Sequence, residues 1–259
     1  MKIKTIITLI AIGVILVLAA IWILVICTRI TEPVTIGDLA YDANERFGYT
    51  VYIKETDEYK PYLVLTNKYN GNTLLLRKHI LPELRIFNYY KPYMNYYENS
   101  EIDKFLNGEY KEIFDETIQN MILPSTIVIT NENSLNAPNE ETLEIVRDVF
   151  LLSVTETGRK QYSALVEGDA LKYFKIPKNR FASYETTGKT EGWWLRTPSN
   201  YNMATVFCYT FDDLHSGATL GGAAAEYACG VRPAFCVNKN EPIAERDDIV
   251  PNEIVYALE

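Results

Sequence analysis

No stretch of the chain gathers lysines and arginines into a cluster. A duplex-binding surface needs such a cluster to displace counterions, so the sequence argues against nucleic acid as a partner. Histidine and cysteine are scarce, at 2 and 4 residues, and no cysteine spacing suits zinc. There is no nucleophile elbow, phosphate-cradling glycine loop or paired metal motif. The sequence therefore implies no cofactor and no metal, and catalysis is not the expected activity. Internal repeats and low-complexity tracts are absent as well, which sets solenoids aside.

What is present begins with an uncharged apolar run, Ile6 to Cys27, bracketed by Lys2 and Lys4 before it and Arg29 after it. As a helix its 22 positions would span about 33 Å, against a hydrocarbon core of roughly 30 Å. Cleaved signal peptides have apolar cores of about 7 to 15 residues and a small-x-small cleavage site. Here the small pair Ala19-Ala20 sits inside the run, and Trp22 to Ile26 continue it. The bulky Ile26 ahead of Cys27 argues against a lipidated cysteine. The run predicts a retained transmembrane helix. Lys2, Lys4 and the terminal amine precede it, while Arg29 is soon followed by Glu32, so the basic bias places the N-terminus inside.

The expected organisation is a cytoplasmic stub and transmembrane helix over 1–29, a stalk over 30–46, an extracytoplasmic domain over 47–238 and an acidic tail over 239–259. The tail either extends away or packs as a last strand through Ile254-Val255-Tyr256. Such a chain sits in the cell membrane as a single-pass protein. Without Lys2, Lys4 and Arg29 it carries 22 basic against 34 acidic side chains, a formal charge of −12, which repels anionic lipid and acidic polymers at low salt. Cys27 lies in the apolar run, leaving Cys208, Cys229 and Cys236 outside it. Cys229 and Cys236 on one extended strand would stand about 23 Å apart, so a disulfide requires Cys208. Three buried free thiols fit the sequence equally well.

Local signals are clearest around Asn70-Gly71, a turn pair flanked by Tyr62-Leu63-Val64-Leu65-Thr66 and Thr73-Leu74-Leu75-Leu76-Arg77; this predicts a tight hairpin. Ser100-Glu101-Ile102-Asp103 predicts a capped helix ended by Asn107-Gly108, and a second helix is expected from Glu109 towards Met121, stopped by Pro124. Strands are expected at 126–130, at 149–155 and near Trp193, Val206 and Val231, with a helical patch around 169–173. The fold class that follows is α+β, mixed and rich in loops.

Two blocks, Trp193-Trp194-Leu195-Arg196-Thr197-Pro198 and Gly230-Val231-Arg232-Pro233-Ala234-Phe235, resemble the signature of a widespread bacterial domain family of unknown function. Upstream, Tyr97-Glu98-Asn99-Ser100-Glu101-Ile102 with Phe105-Leu106-Asn107, and Phe150-Leu151-Leu152-Ser153 with Glu156 and Gly158, agree in the same order. The resemblance covers Pro61 to Asn238 and offers no activity to carry over. It implies a C-type-lectin-like fold, of the kind shared with sulfatase-modifying factors and phage tropism determinants. Physically the blocks read as structural. Strand alternation puts Trp193 and Leu195 on one face and Trp194 and Arg196 on the other, so one tryptophan is expected in the core. Trp194 could stack on Arg196, and Arg232 could meet a buried carboxylate. Pro233 removes a ladder donor and predicts an edge or bulged strand over 231–235.

Binding, if it is the function, is expected between the two blocks. Tyr201, Asn202, Tyr209, Asp212, Asp213, His215 and Tyr227, around the glycines and alanines of 217–230, combine rigid rings, adaptable hydrogen bonds and permissive backbone. A solvated surface loop would carry the same composition. The tyrosines at 89, 90, 93, 96 and 97 form a second candidate. Calcium-dependent lectins place Glu-Pro-Asn or Gln-Pro-Asp ahead of Trp-Asn-Asp; neither pattern stands here, and the pair Asp212-Asp213 reads as a charged turn. A triad of Cys208, Asp212 and His215 has no signal that joins its members. The sequence thus points to a noncatalytic, membrane-anchored module for a glycan or surface protein, the alternative being a structural part of an envelope assembly.

Overall fold

Asn70 and Gly71, at φ 51° and 81°, turn the chain tightly enough to pair Tyr69 with Asn72, the geometry a two-residue hairpin of the primed type demands. The computed structural model that shows this describes residues 13, 15–18, 22, 35–43, 48–89, 94–135, 141–199, 204–210 and 218–259. In chain order the strands are β1 (Thr50–Glu55), β2 (Glu58–Tyr69), β3 (Asn72–Arg77), β4 (Arg85–Ile86), β5 (Ser125–Thr130), β6 (Thr142–Arg147), β7 (Val149–Phe150), β8 (Trp193–Pro198), β9 (Thr205–Thr210), β10 (Thr219–Ala224), β11 (Ala228–Cys229), β12 (Ala234–Val237), β13 (Ala244–Val250) and β14 (Glu253–Leu258). The α-helices described after residue 35 are α1 (Glu101–Asn107) and α2 (Glu116–Met121).

The largest sheet runs β13-β14-β1-β2-β3-β12-β7. Its middle is covered on both faces: Tyr62 to Leu65 on β2 and Leu74 to Leu76 on β3 are all buried, which is why these strands read as continuous apolar runs rather than alternating ones. A second sheet, β10-β9-β8, and two strand pairs, β11-β4 and β5-β6, complete the strands among the described residues. The last residues of the chain belong to the main sheet, with β14 parallel to β1 through Val51 opposite Tyr256. At the other end of the domain's sequence, Ile36 and Leu39 of a 3-10 turn are fully buried.

The α+β class expected behind an N-terminal transmembrane helix is corrected to a mainly β fold, with 40% strand against 18% helix among the described residues. Helix is scarce because its expected segments are short. The segment from Glu109 to Met121 breaks: a 3-10 turn at Lys111–Ile113 ends at an extended Phe114, and Asp115 then starts α2 afresh by accepting the Ile118 amide at 2.9 Å. Capping by Ser100 of α1 matches the sequence expectation, its hydroxyl accepting the Asp103 amide at 3.2 Å, as N-cap serines do. Of the strand expected over 149–155 only β7 forms, and the patch around 169–173 is a 3-10 turn, Lys172–Lys175. No helix among the described residues is long and apolar enough to cross a membrane, and most of the run from Ile6 to Cys27 lies outside them.

The chain divides into two units, Met1–Val34 and Thr35–Glu259. In the first, Ile15 to Leu18 and Trp22 are helical and largely exposed. The second contains all the sheets formed by the described residues.

Candidate functional site

The two sequence blocks hold different parts of the second unit together. Trp193 and Trp194 are both fully buried, correcting the expectation of one core tryptophan: strand β8 is covered on both faces. Arg196 does not stack on Trp194. Its guanidinium grips Glu156 in a two-pronged pair at 2.7 and 2.9 Å, with both side chains at 0% exposure, and its Nη1 and Nε donate to the Leu151 and Val128 carbonyls at 2.8 and 3.0 Å. Glu156 also accepts the Ser153 amide and the Tyr69 hydroxyl. The Phe150-to-Glu156 block and the Trp193-to-Pro198 block are thus two halves of one buried polar network. Glu167, which accepts from the Thr197 and Thr130 hydroxyls, has its carboxyl raised by burial, opposed by Arg196.

Gly230 meets the chain where no side chain fits: a Cβ there would lie 2.4 Å from the Gly192 carbonyl oxygen. The close approach lets the Gly230 amide donate to that oxygen and its carbonyl accept the Trp194 amide, both at 2.9 Å. Pro233 precedes β12 rather than interrupting it, and β12 lies between β3 and β7. The expected edge or bulged strand is therefore corrected to an interior strand that begins one residue later, so the missing proline donor costs no ladder bond. Arg232 meets no carboxylate among the described residues. It donates to the Arg77 and Lys78 carbonyls, both at 3.1 Å, and its guanidinium lies 4.9 Å above the Trp193 ring.

Of the residues singled out between the blocks, Tyr201, Asn202, Asp212, Asp213 and His215 lie outside the described residues. Tyr209 is buried on β9, its hydroxyl donating to Thr157 Oγ1 at 2.7 Å. Tyr227 stands exposed between β10 and β11. Tyr89 is exposed, Tyr97 is buried, Tyr96 is partly buried, and Tyr90 and Tyr93 lie outside the described residues.

The structure adds a cavity that the sequence did not announce. It has a volume of about 490 Å³ and lies where the start of β1, the end of β3 and the segment before β12 converge. Tyr49 and Tyr173 give it aromatic walls, edge-on to each other with centroids 5.6 Å apart, and Tyr41 backs both. Lys78, His79, Ser183 and Thr190 supply polar lining, and Arg232 forms part of the wall. His79 Nδ1 lies 3.3 Å from the Ser183 carbonyl oxygen, and burial lowers its pKa, favouring the neutral ring. Volume, rings and a few polar groups suit a small ligand. Three-dimensional convergence of residues 49, 78, 173, 183 and 232 is what makes the site, and no local motif could have signalled it.

The three cysteines outside the apolar run are free thiols. Cys208 and Cys229 are hydrogen-bond neighbours; the contact lowers the Cys208 pKa and raises that of Cys229, with burial adding to the latter. Cys236 sits apart, pushed up to about 12 by burial. Mild oxidation is expected to join Cys208 to Cys229 and leave Cys236 alkylatable after unfolding. Non-reducing peptide mass mapping checks this; a Cys208–Cys236 link would contradict the arrangement.

Comparison with curated proteins and with solved structures returns no match. Residues 70–239, about two thirds of the chain, match a family described as a domain of unknown function, DUF6273. That segment contains both buried blocks, their upstream partners and most of the cavity wall, and the chain belongs to the DUF6273 family.

Proposed function

We propose that this protein is a noncatalytic binding module, displayed outside the cell and held at the membrane by its N-terminal apolar run, and that its ligand is a glycan or a surface protein. The observation that carries the reading is the cavity walled by Tyr49 and Tyr173 and lined by polar groups from the segment after β3 and from Ser183, Thr190 and Arg232. Tyrosine faces suit sugar rings and peptide side chains alike. The uncharged run from Ile6 to Cys27, with exposed Ile15 to Leu18 and Trp22 within it, supports membrane attachment.

A thermal-shift screen of the full chain in detergent, against cell-wall fragments, glycans, peptides and calcium, tests the proposal. A ligand at 100 times its dissociation constant should add about 2.7 kcal/mol. Silence across the panel would favour the second reading, a part in an envelope assembly. One feature speaks for that alternative: β10 is the outer strand of its sheet and carries the small run Gly221-Gly222-Ala223-Ala224, an edge that another chain could extend by strand addition.

A further inference from the structure

Among the described residues of the second unit four arginines are buried, and their surroundings differ. Arg77 pairs with Glu55 and Arg196 with Glu156. Arg180 donates to the Thr157 and Phe174 carbonyls. Arg232, 1% exposed, has two carbonyl partners and the Trp193 face, and its Nη1 has no hydrogen-bond partner. A buried cation needs both its donors and its charge answered. Carbonyl oxygens and a ring face answer the charge in part; a water at Nη1 would satisfy the donor and leave the charge. The neighbourhood adds to the deficit. Lys78 lines the same cavity, and Glu185, the carboxylate that acts on the cavity's His79, is already engaged by Lys60 at 3.0 Å. Burial, with repulsion from Arg77, lowers the Arg232 pKa to about 10, against a raising influence from Tyr173.

We infer that the cavity receives an oxyanion, a carboxylate, phosphate or sulfate, that accepts a hydrogen bond from Arg232 Nη1 while the body carrying it lies against Tyr49 and Tyr173. This deepens the binding-module reading and rests on it. An oxyanion supplies the two things the site lacks, negative charge and an acceptor, and charge-assisted bonds of this kind are the stronger ones. The volume of about 490 Å³ accommodates a ring as well as the anion.

Calorimetric titration of the full chain in detergent tests the inference, with glucuronate, glucose 6-phosphate, inorganic phosphate and glucose as probes at matched ionic strength. One of the sugar acids should bind at least about tenfold more tightly than glucose, the discrimination expected of a charged hydrogen bond. Arg232→Gln should remove that preference. Inorganic phosphate equalling the sugar phosphate would support the oxyanion at Arg232 and overturn the placement of a ring against Tyr49 and Tyr173. Should Arg232→Gln not fold, Thr190→Trp fills the cavity from an exposed rim position and should abolish the response. Oxyanion binding that survives Thr190→Trp would overturn the proposal, as would a wild-type protein indifferent to every oxyanion. Glucose binding equal to that of the acids, unchanged by Arg232→Gln, would overturn it and leave the binding module standing.

Discussion

Replacing Arg196 with Met is expected to cost about 3 to 5 kcal/mol, the penalty for breaking a buried ion pair from one side. Glu156 would be left at 0% exposure with the Ser153 amide and the Tyr69 hydroxyl as its remaining partners. The carbonyls of Leu151 and Val128 would each lose a donor from the same side chain. Those contacts join β8 to β5 and to the segment after β7, so the loss should spread through the unit as one cooperative transition. Chemical denaturation followed by tryptophan fluorescence measures it. The double variant Glu156→Leu/Arg196→Met should recover part of the loss, because an apolar pair of similar volume carries no unmet charge. A single-variant loss below about 1 kcal/mol, the value of an exposed pair, would mean that the network is hydrated rather than sealed.

This network also shows how far the sequence can be read. The hairpin at Asn70-Gly71 and the cap at Ser100 were legible because each is decided by a few adjacent residues: positive φ at the turn, a hydroxyl three residues from an amide. The partner of Arg196 was not, since Glu156 lies 40 positions away and the strand alternation suggested Trp194 instead. Alternation misled for a physical reason. It assumes one wet face, whereas every residue of β8 is buried. The helix expected from Glu109 failed similarly: its composition suits a helix, but Asp115 caps a later start and Phe114 is extended to join a ring cluster with Tyr62, Tyr110 and Phe235. The candidate site was the least legible of all. Glycines and tyrosines between the blocks advertised a loop, while the cavity is assembled from residues spread between 48 and 232.

Trp193→Ala should destabilise the unit by about 3 to 5 kcal/mol, the range for removing a large buried ring whose space cannot collapse. Trp193 is fully buried, tilted against Tyr209 with centroids 5.1 Å apart, and its Nε1 donates to the Arg180 carbonyl at 2.9 Å. Truncation therefore opens a void and orphans an acceptor together. Trp193→Phe separates the two losses, since it retains most of the ring and sacrifices only the bond to Arg180. The alanine variant should also loosen Arg232, whose guanidinium rests over this ring, so the cavity wall would lose its platform along with the core. If Trp193→Phe retains stability to within about 1.5 kcal/mol, one neutral hydrogen bond, and keeps oxyanion binding, the ring is what positions Arg232. If it keeps stability and loses binding, the indole itself holds the guanidinium in place. Either outcome ties the first block to the second through the Trp193–Arg232 pair, in which a core ring supports a side chain of the cavity wall.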